Sequence, residues 1–153
     1  TPQPQFWRGW LLGVQSGMTF PSGRFRKVYE PSTMFALQLE RALAPQWRVA
    51  VQVGHHEFDE RVEGLSNLGI VNLSALARFT GSAPNVRPFL IAGPGAYRAH
   101  GSWHFGMQAG AGLEVPLTPN VSLTTQATLH RVSAGAPQPQ WAEASLGFLC
   151  RIP

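Results

Sequence analysis

Apolar and polar residues alternate with a period of two along most of the chain, which is the mark of strands whose two faces meet different surroundings. The clearest segment is 103–115, where Trp103, Phe105, Met107, Ala109, Ala111, Leu113 and Val115 alternate without exception with His104, Gly106, Gln108, Gly110, Gly112 and Glu114. The same rhythm sets Trp10, Leu12, Val14, Met18 and Phe20 against Gly9, Gly13, Gln15, Gly17 and Thr19 in 6–20. It recurs in 33–43, 47–56, 68–80, 121–132 and 141–152. An eighth strand is expected over 87–98, but there both parities carry apolar residues. The internal Pro94 predicts a bulge or a broken ladder.

Between these segments, Ala44-Pro45-Gln46, Gly81 to Asn85 and Pro116 to Asn120 read as compact turns. The acidic stretch Glu57 to Glu63 reads as an exposed loop, and the other connections are longer apart from a short one near Ala99 to Ser102. Short turns at one rim and longer loops at the other fit an up-and-down barrel. In a bacterial outer membrane the short turns and both termini would face the periplasm.

Alternation does not say which face is outside, because a soluble barrel alternates too, with its apolar side inward. Charge decides. Only 13% of residues are charged, about half the roughly 25% of soluble domains. The polar parity holds Gly, Gln, Ser and Thr with an occasional Arg48 or Arg78, which suits a cramped, hydrated interior better than a soluble surface. No apolar run approaches the ~18 residues of a membrane helix. The expected fold is therefore all-β, an eight-stranded antiparallel up-and-down transmembrane β-barrel, formed by residues 1–153 as one domain. Trp7, Trp10, Trp47, Trp103 and Trp141 fall near strand ends and are expected to form its interfacial aromatic girdle.

The net charge of +4 comes from basic residues scattered singly, which argues against nucleic-acid binding. Cys150, the single cysteine, reads as an apolar strand residue, and no cofactor is expected. His55-His56 reads as a strand end entering a loop, with no second ligand cluster in the sequence to make a metal site. The chain opens on Thr1-Pro2-Gln3-Pro4-Gln5 rather than on a basic and then apolar leader, so if the protein is exported this is expected to be its mature form. Arg24, Arg26 and Lys27 are candidates to contact lipopolysaccharide phosphates, the alternative being a simple solvated loop.

The phrase Pro88-Phe89-Leu90-Ile91-Ala92-Gly93-Pro94-Gly95-Ala96-Tyr97-Arg98, together with Gly110-Ala111-Gly112-Leu113-Glu114, is similar to the small eight-stranded outer-membrane barrels that include OmpX and the OmpA transmembrane domain. That resemblance spans nearly the whole chain. It implies a structural or interaction role in the outer membrane, alone or as a subunit of an envelope assembly. The last third also resembles the PagL lipid A 3-O-deacylases, through His130, Ser133 and Glu143. There the resemblance implies a glutamate that orients a histidine, which takes the proton from a serine attacking an acyl ester. This chain departs from that pattern. The family's serine lies two residues after the histidine, where Val132 stands here, and Ser133 alternates to the other face. His130 and Glu143 share the polar parity and are expected to be a hydrogen-bonded pair in the lumen. A non-catalytic barrel is thus the expected function, a lipid A deacylase is the alternative, and a general pore comes third because eight strands leave no open channel.

Overall fold

The computed structural model describes residues 9–61, 63–64, 67–133 and 138–153. It is a closed barrel of eight long antiparallel strands: β1 (Trp10–Pro21), β2 (Ser32–Ala42), β3 (Trp47–Glu60), β4 (Leu68–Thr80), β5 (Arg87–Ala99), β6 (Ser102–Thr118), β7 (Val121–Val132) and β8 (Gln140–Ile152). Each strand pairs with the next, and β1 pairs with β8 from Trp10↔Ile152 to Pro21↔Trp141, so no long strand is left with an open edge. A two-residue strand, Tyr29–Glu30, adds to the far end of β3 opposite Asp59 and Glu60.

The barrel is inside out by the standard of a soluble domain. Leu129 is 67% exposed while Glu143 is 2% exposed. Leu12, Val14, Leu37, Val51, Leu73, Phe105, Leu146 and Phe148 point outward, and Gln15, Gln38, Arg48, Gln52, Arg78, Gln108, Glu114 and Gln126 are buried inside. Such an exterior is stable against hydrocarbon and unstable against water, so the apolar parity is the lipid face. Among the described residues no helix is long and apolar enough to cross a membrane; the strands, of 11 to 17 residues, cross instead. Cys150 lies on the outward parity and is exposed.

Two sequence expectations change. The acidic segment after His56 is not simply a loop, because β3 runs on to Glu60. Alternation continues through it, turning Phe58 inward to pack on Phe25, Tyr29 and Trp141, while the pairing with Tyr29–Glu30 holds the extension. Trp141 does not belong to the girdle: it is 1% exposed and lies inside the lumen, as its place on the polar parity of β8 requires. Trp10, Trp47 and Trp103 are exposed at strand ends, and Trp7 lies outside the described residues.

Over 87–98 the facing is now explicit, with Arg87, Phe89, Ile91 and Tyr97 inside and Pro88, Leu90, Ala92, Pro94, Ala96 and Arg98 outside. The ladder to β6 is continuous, whereas the one to β4 lapses between Ser74↔Gly95 and Ala77↔Ala92. Pro94 has no N–H to give to that side.

The turn end carries Ala42 to Trp47, Thr80 to Arg87, Thr118 to Val121 and the described chain ends. At the loop end β5 and β6 are joined by a two-residue hairpin, His100-Gly101, with φ of 50° and 79°. Two consecutive positive φ values are what the tightest hairpin turn demands. The loop after β1 winds one 3-10 turn at Phe25–Lys27 and tucks Phe25 into the barrel mouth. There it joins Tyr29, Phe58, Leu68, Ile70, Tyr97, Ala99, Val132 and Trp141 in a buried apolar lid.

Candidate functional site

Inward side chains of the eight strands form three tiers beneath this lid. Nearest the turn end lies a charge cluster. Arg78 reaches Glu40 Oε1 at 2.8 Å and Glu114 Oε2 at 2.5 Å, and Arg48 reaches Glu114 at 3.0 Å and Glu40 at 3.3 Å. Arg87 stands 3.6 Å from the other Glu114 oxygen. Arg78 also lies over the Phe89 ring, 3.7 Å from its centroid. All these groups are buried, and a buried charge needs partners of this kind.

The middle tier is made of amides and hydroxyls. Gln108 donates to Gln52 (2.9 Å), Gln52 and Gln15 donate to Gln38 (3.3 Å each), Ser145 donates to Gln15 (3.2 Å), and Gln38 in turn bonds Glu40. This chain of bonds spans strands on opposite sides of the barrel and leaves the middle of the lumen filled.

The third tier, against the lid, holds His56 on β3, His130 on β7 and Glu143 on β8, all buried. Glu143 Oε2 lies 3.0 Å from His130 Nε2 and 3.3 Å from His56 Nδ1. Each histidine is held from behind. Asn72 Oδ1 accepts from His56 Nε2 at 3.0 Å, and Tyr97 Oη lies 3.0 Å from His130 Nδ1. Trp141, opposite His130 in the β7–β8 ladder, stacks on its ring at 4.7 Å and 8°. Glycines make the room: a Cβ on Gly106 would stand 2.6 Å from the Tyr97 ring, and one on Gly54 would run into Asn72 Oδ1.

The three candidate catalytic residues are thus divided. His130 and Glu143 come together, while Ser133 is exposed just beyond β7, its backbone N–H bonded to Phe105 O (2.9 Å). The hydroxyl that does bond His130 belongs to Tyr97, a phenol held on the lumen side. Histidines 55 and 56 also part company, because successive strand residues face opposite ways. His55 is outside, 3.3 Å from Glu57, and His56 joins the buried tier. Arg24, Arg26 and Lys27 are exposed on the 3-10 turn around buried Phe25. Arg98 and Arg131, on the outer face of β5 and β7 near the loop end, add two further exposed cations.

His56, Asn72 and Tyr97 are the members that sequence reasoning missed. Parity puts His56 and Asn72 on the polar face, but only the barrel's closure brings β3 opposite β7 and β8.

No protein-family model matches the sequence, and no curated protein matches it. Among solved structures, Neisserial surface protein A is similar over 95% of this chain and 98% of its own, at 17% identity and a TM-score of 0.73. The outer membrane enzyme PagL is similar over 93% and 99%, at 17% identity and a TM-score of 0.58. A de novo designed transmembrane β-barrel is similar over 95% and 98%, at 13% identity and a TM-score of 0.55. A surface protein, an enzyme and a designed chain have in common the architecture alone, so the likeness carries fold and not function. The fold shared by these chains is the small eight-stranded transmembrane β-barrel, in its natural examples an outer-membrane fold.

Proposed function

We propose that this chain is a non-catalytic interaction barrel of a bacterial outer membrane, which works through its loop-end surface and there holds the phosphates of lipopolysaccharide. The observation that carries the reading is the filled lumen. Among the described residues, charge cluster, amide tier and lid bridge the lumen one after another from the turn end to the loop end. What remains for a partner is the outside. There Arg24, Arg26 and Lys27 on the first loop, with Arg98 and Arg131 on the outer wall near the loop end, present exposed cations. Arginine is suited to such phosphates because its planar fork makes two parallel bonds.

One observation favours the deacylase as a second reading: the contact of His130 with Glu143. Against that reading, its candidate nucleophile Ser133 is exposed on the opposite parity, while His130 and Glu143 are buried.

Two measurements separate the readings. Refolded protein is offered vesicles with and without lipopolysaccharide, as wild type and as the Arg24→Ala/Arg26→Ala/Lys27→Ala variant. Preferential binding that weakens in the variant and at high salt supports the interaction reading. In the second measurement, lipid A is incubated with wild type and with His130→Ala. Fatty acid released by wild type and not by the variant would overturn the non-catalytic assignment.

A further inference from the structure

We propose that His56, His130 and Glu143 form a binding site for a first-row divalent cation of the zinc type, buried in the barrel lumen beneath the aromatic lid. Their ligand atoms come from β3, β7 and β8, and all lie within 4.8 Å of one another. Atoms held 2.0–2.2 Å from a tetrahedral zinc stand roughly 3.3–3.6 Å apart. The two separations at the Glu143 oxygen, 3.0 and 3.3 Å, are close to that spacing, and the two histidine nitrogens would draw together from up to 4.8 Å to close on the ion.

The hydrogen bonding points the same way. Among the described residues, His56 Nδ1, His130 Nε2 and Glu143 Oε2 are buried yet make no well-aligned hydrogen bond, even at 3.0 and 3.3 Å. They converge on a common point without being aligned to bond one another, and unbonded buried polar atoms are costly. The outer contacts decide which nitrogens are available. Asn72 gives its amide N–H to Ser74 Oγ (2.8 Å), which turns its oxygen toward His56. As a neutral imidazole His56 then carries its proton on Nε2 and aims a bare Nδ1 lone pair at a carboxylate oxygen 3.3 Å away. That arrangement is repulsive unless positive charge lies between the two atoms. Tyr97 Oη holds His130 at Nδ1, and where that hydroxyl accepts from Nδ1–H the Nε2 turned toward Glu143 is bare as well. Two imidazoles each fixed from behind by an oxygen and facing one carboxylate are the usual furniture of a zinc site, and imidazole with carboxylate suits zinc better than calcium or magnesium.

A cation there would staple β3 to β7 and β8 across the barrel at the level where Phe58 and Trp141 close the lid. The site also uses the His130–Glu143 pair as ligands, which leaves it no part as a base.

The test uses the refolded barrel in detergent, stripped with chelator, then given zinc chloride and freed of excess. Metal analysis should find one zinc per chain. Zinc should also raise the temperature at which the folded gel band is lost, and X-ray absorption should show two imidazole nitrogens in its shell. The folded variants His56→Asn, His130→Asn and Glu143→Gln should lose the stoichiometric metal, while His55→Ala, altered on the outer wall, should keep it. Tyr97→Phe removes only the support behind His130 and should weaken zinc about 10- to 100-fold. Failure of wild type to retain zinc overturns the proposal, and so does zinc retained equally by the three ligand variants. Should those variants not fold, the wild-type absorption spectrum decides, since a shell without two imidazoles overturns it as well.

Discussion

Glu114 is the hub of the turn-end charge cluster, and its neutralisation is the sharpest test of how the lumen is held. Arg78, Arg48 and Arg87 surround its carboxylate at 2.5, 3.0 and 3.6 Å, and among the described residues the other anion of the cluster is Glu40. Glu114→Gln keeps the shape of the side chain but leaves three buried guanidinium groups to one carboxylate. Stripping a buried pair of one member costs about 3–5 kcal/mol, because the remaining charge stays desolvated. The three contacts share one carboxylate, so their energies do not add, and a single loss of that size is expected. Reversible urea unfolding in detergent micelles or thin vesicles, followed by tryptophan fluorescence, measures it. The double variant Arg78→Met/Glu114→Leu should recover much of the loss, since well-packed apolar residues often replace a buried ion pair at little cost. Arg78 already lies on the Phe89 ring, where a methionine would find apolar contact. A loss below about 1 kcal/mol for Glu114→Gln, which is the range of solvent-exposed pairs, would show that water reaches the cluster and that the lumen is not closed by it.

Leu146 is outward-facing in the middle of β8 and 55% exposed, so Leu146→Arg should cost about 2–4 kcal/mol of folding into vesicles, whereas Leu43→Arg in a turn should cost almost nothing. Equal effects would place the lipid face wrongly. Phe58→Ala removes a fully buried ring that touches Phe25 and Trp141 and should cost about 3–5 kcal/mol. It should also speed trypsin cleavage at Arg24 and Arg26, and an unchanged rate would mean that the first loop is not held by the lid. Gly106→Val would press against Tyr97 and the backbone oxygen of Arg131, 2.6 and 2.9 Å from the new Cβ. The heat-resistant folded band should be weak or missing, and normal yield would show that Tyr97 is free to move.

The strands were legible because one physical signal, the two-residue alternation, is repeated in almost every segment and reports directly on which face meets lipid. Legibility failed where side-chain chemistry and parity disagree. Phe58 stands among Glu57, Asp59 and Glu60, and the local acidity reads as a loop although its parity is inward. Trp141 lies near a strand end, where tryptophan ordinarily marks the interface, and only the alternation of β8 turns it to the lumen. The candidate site was half legible. His130 and Glu143 sit on neighbouring strands with matching parity, which sequence can show. His56 meets them across the lumen, and that contact depends on barrel closure and stagger, for which no local pattern exists.

The two ends of the lumen illustrate two answers to one requirement. Residues turned inward in a narrow barrel are cut off from water and must satisfy their polar atoms among themselves. At the turn end arginines supply the positive charge that Glu40 and Glu114 need. At the loop end Glu143 meets two histidines instead of an arginine, and the three facing atoms are left unbonded. A lumen that sets arginines against its carboxylates at one end gives reason to expect a counter-charge at the other, from a proton or a metal ion. The zinc titration tells these apart, because a proton leaves no metal in the protein and no imidazole shell around it.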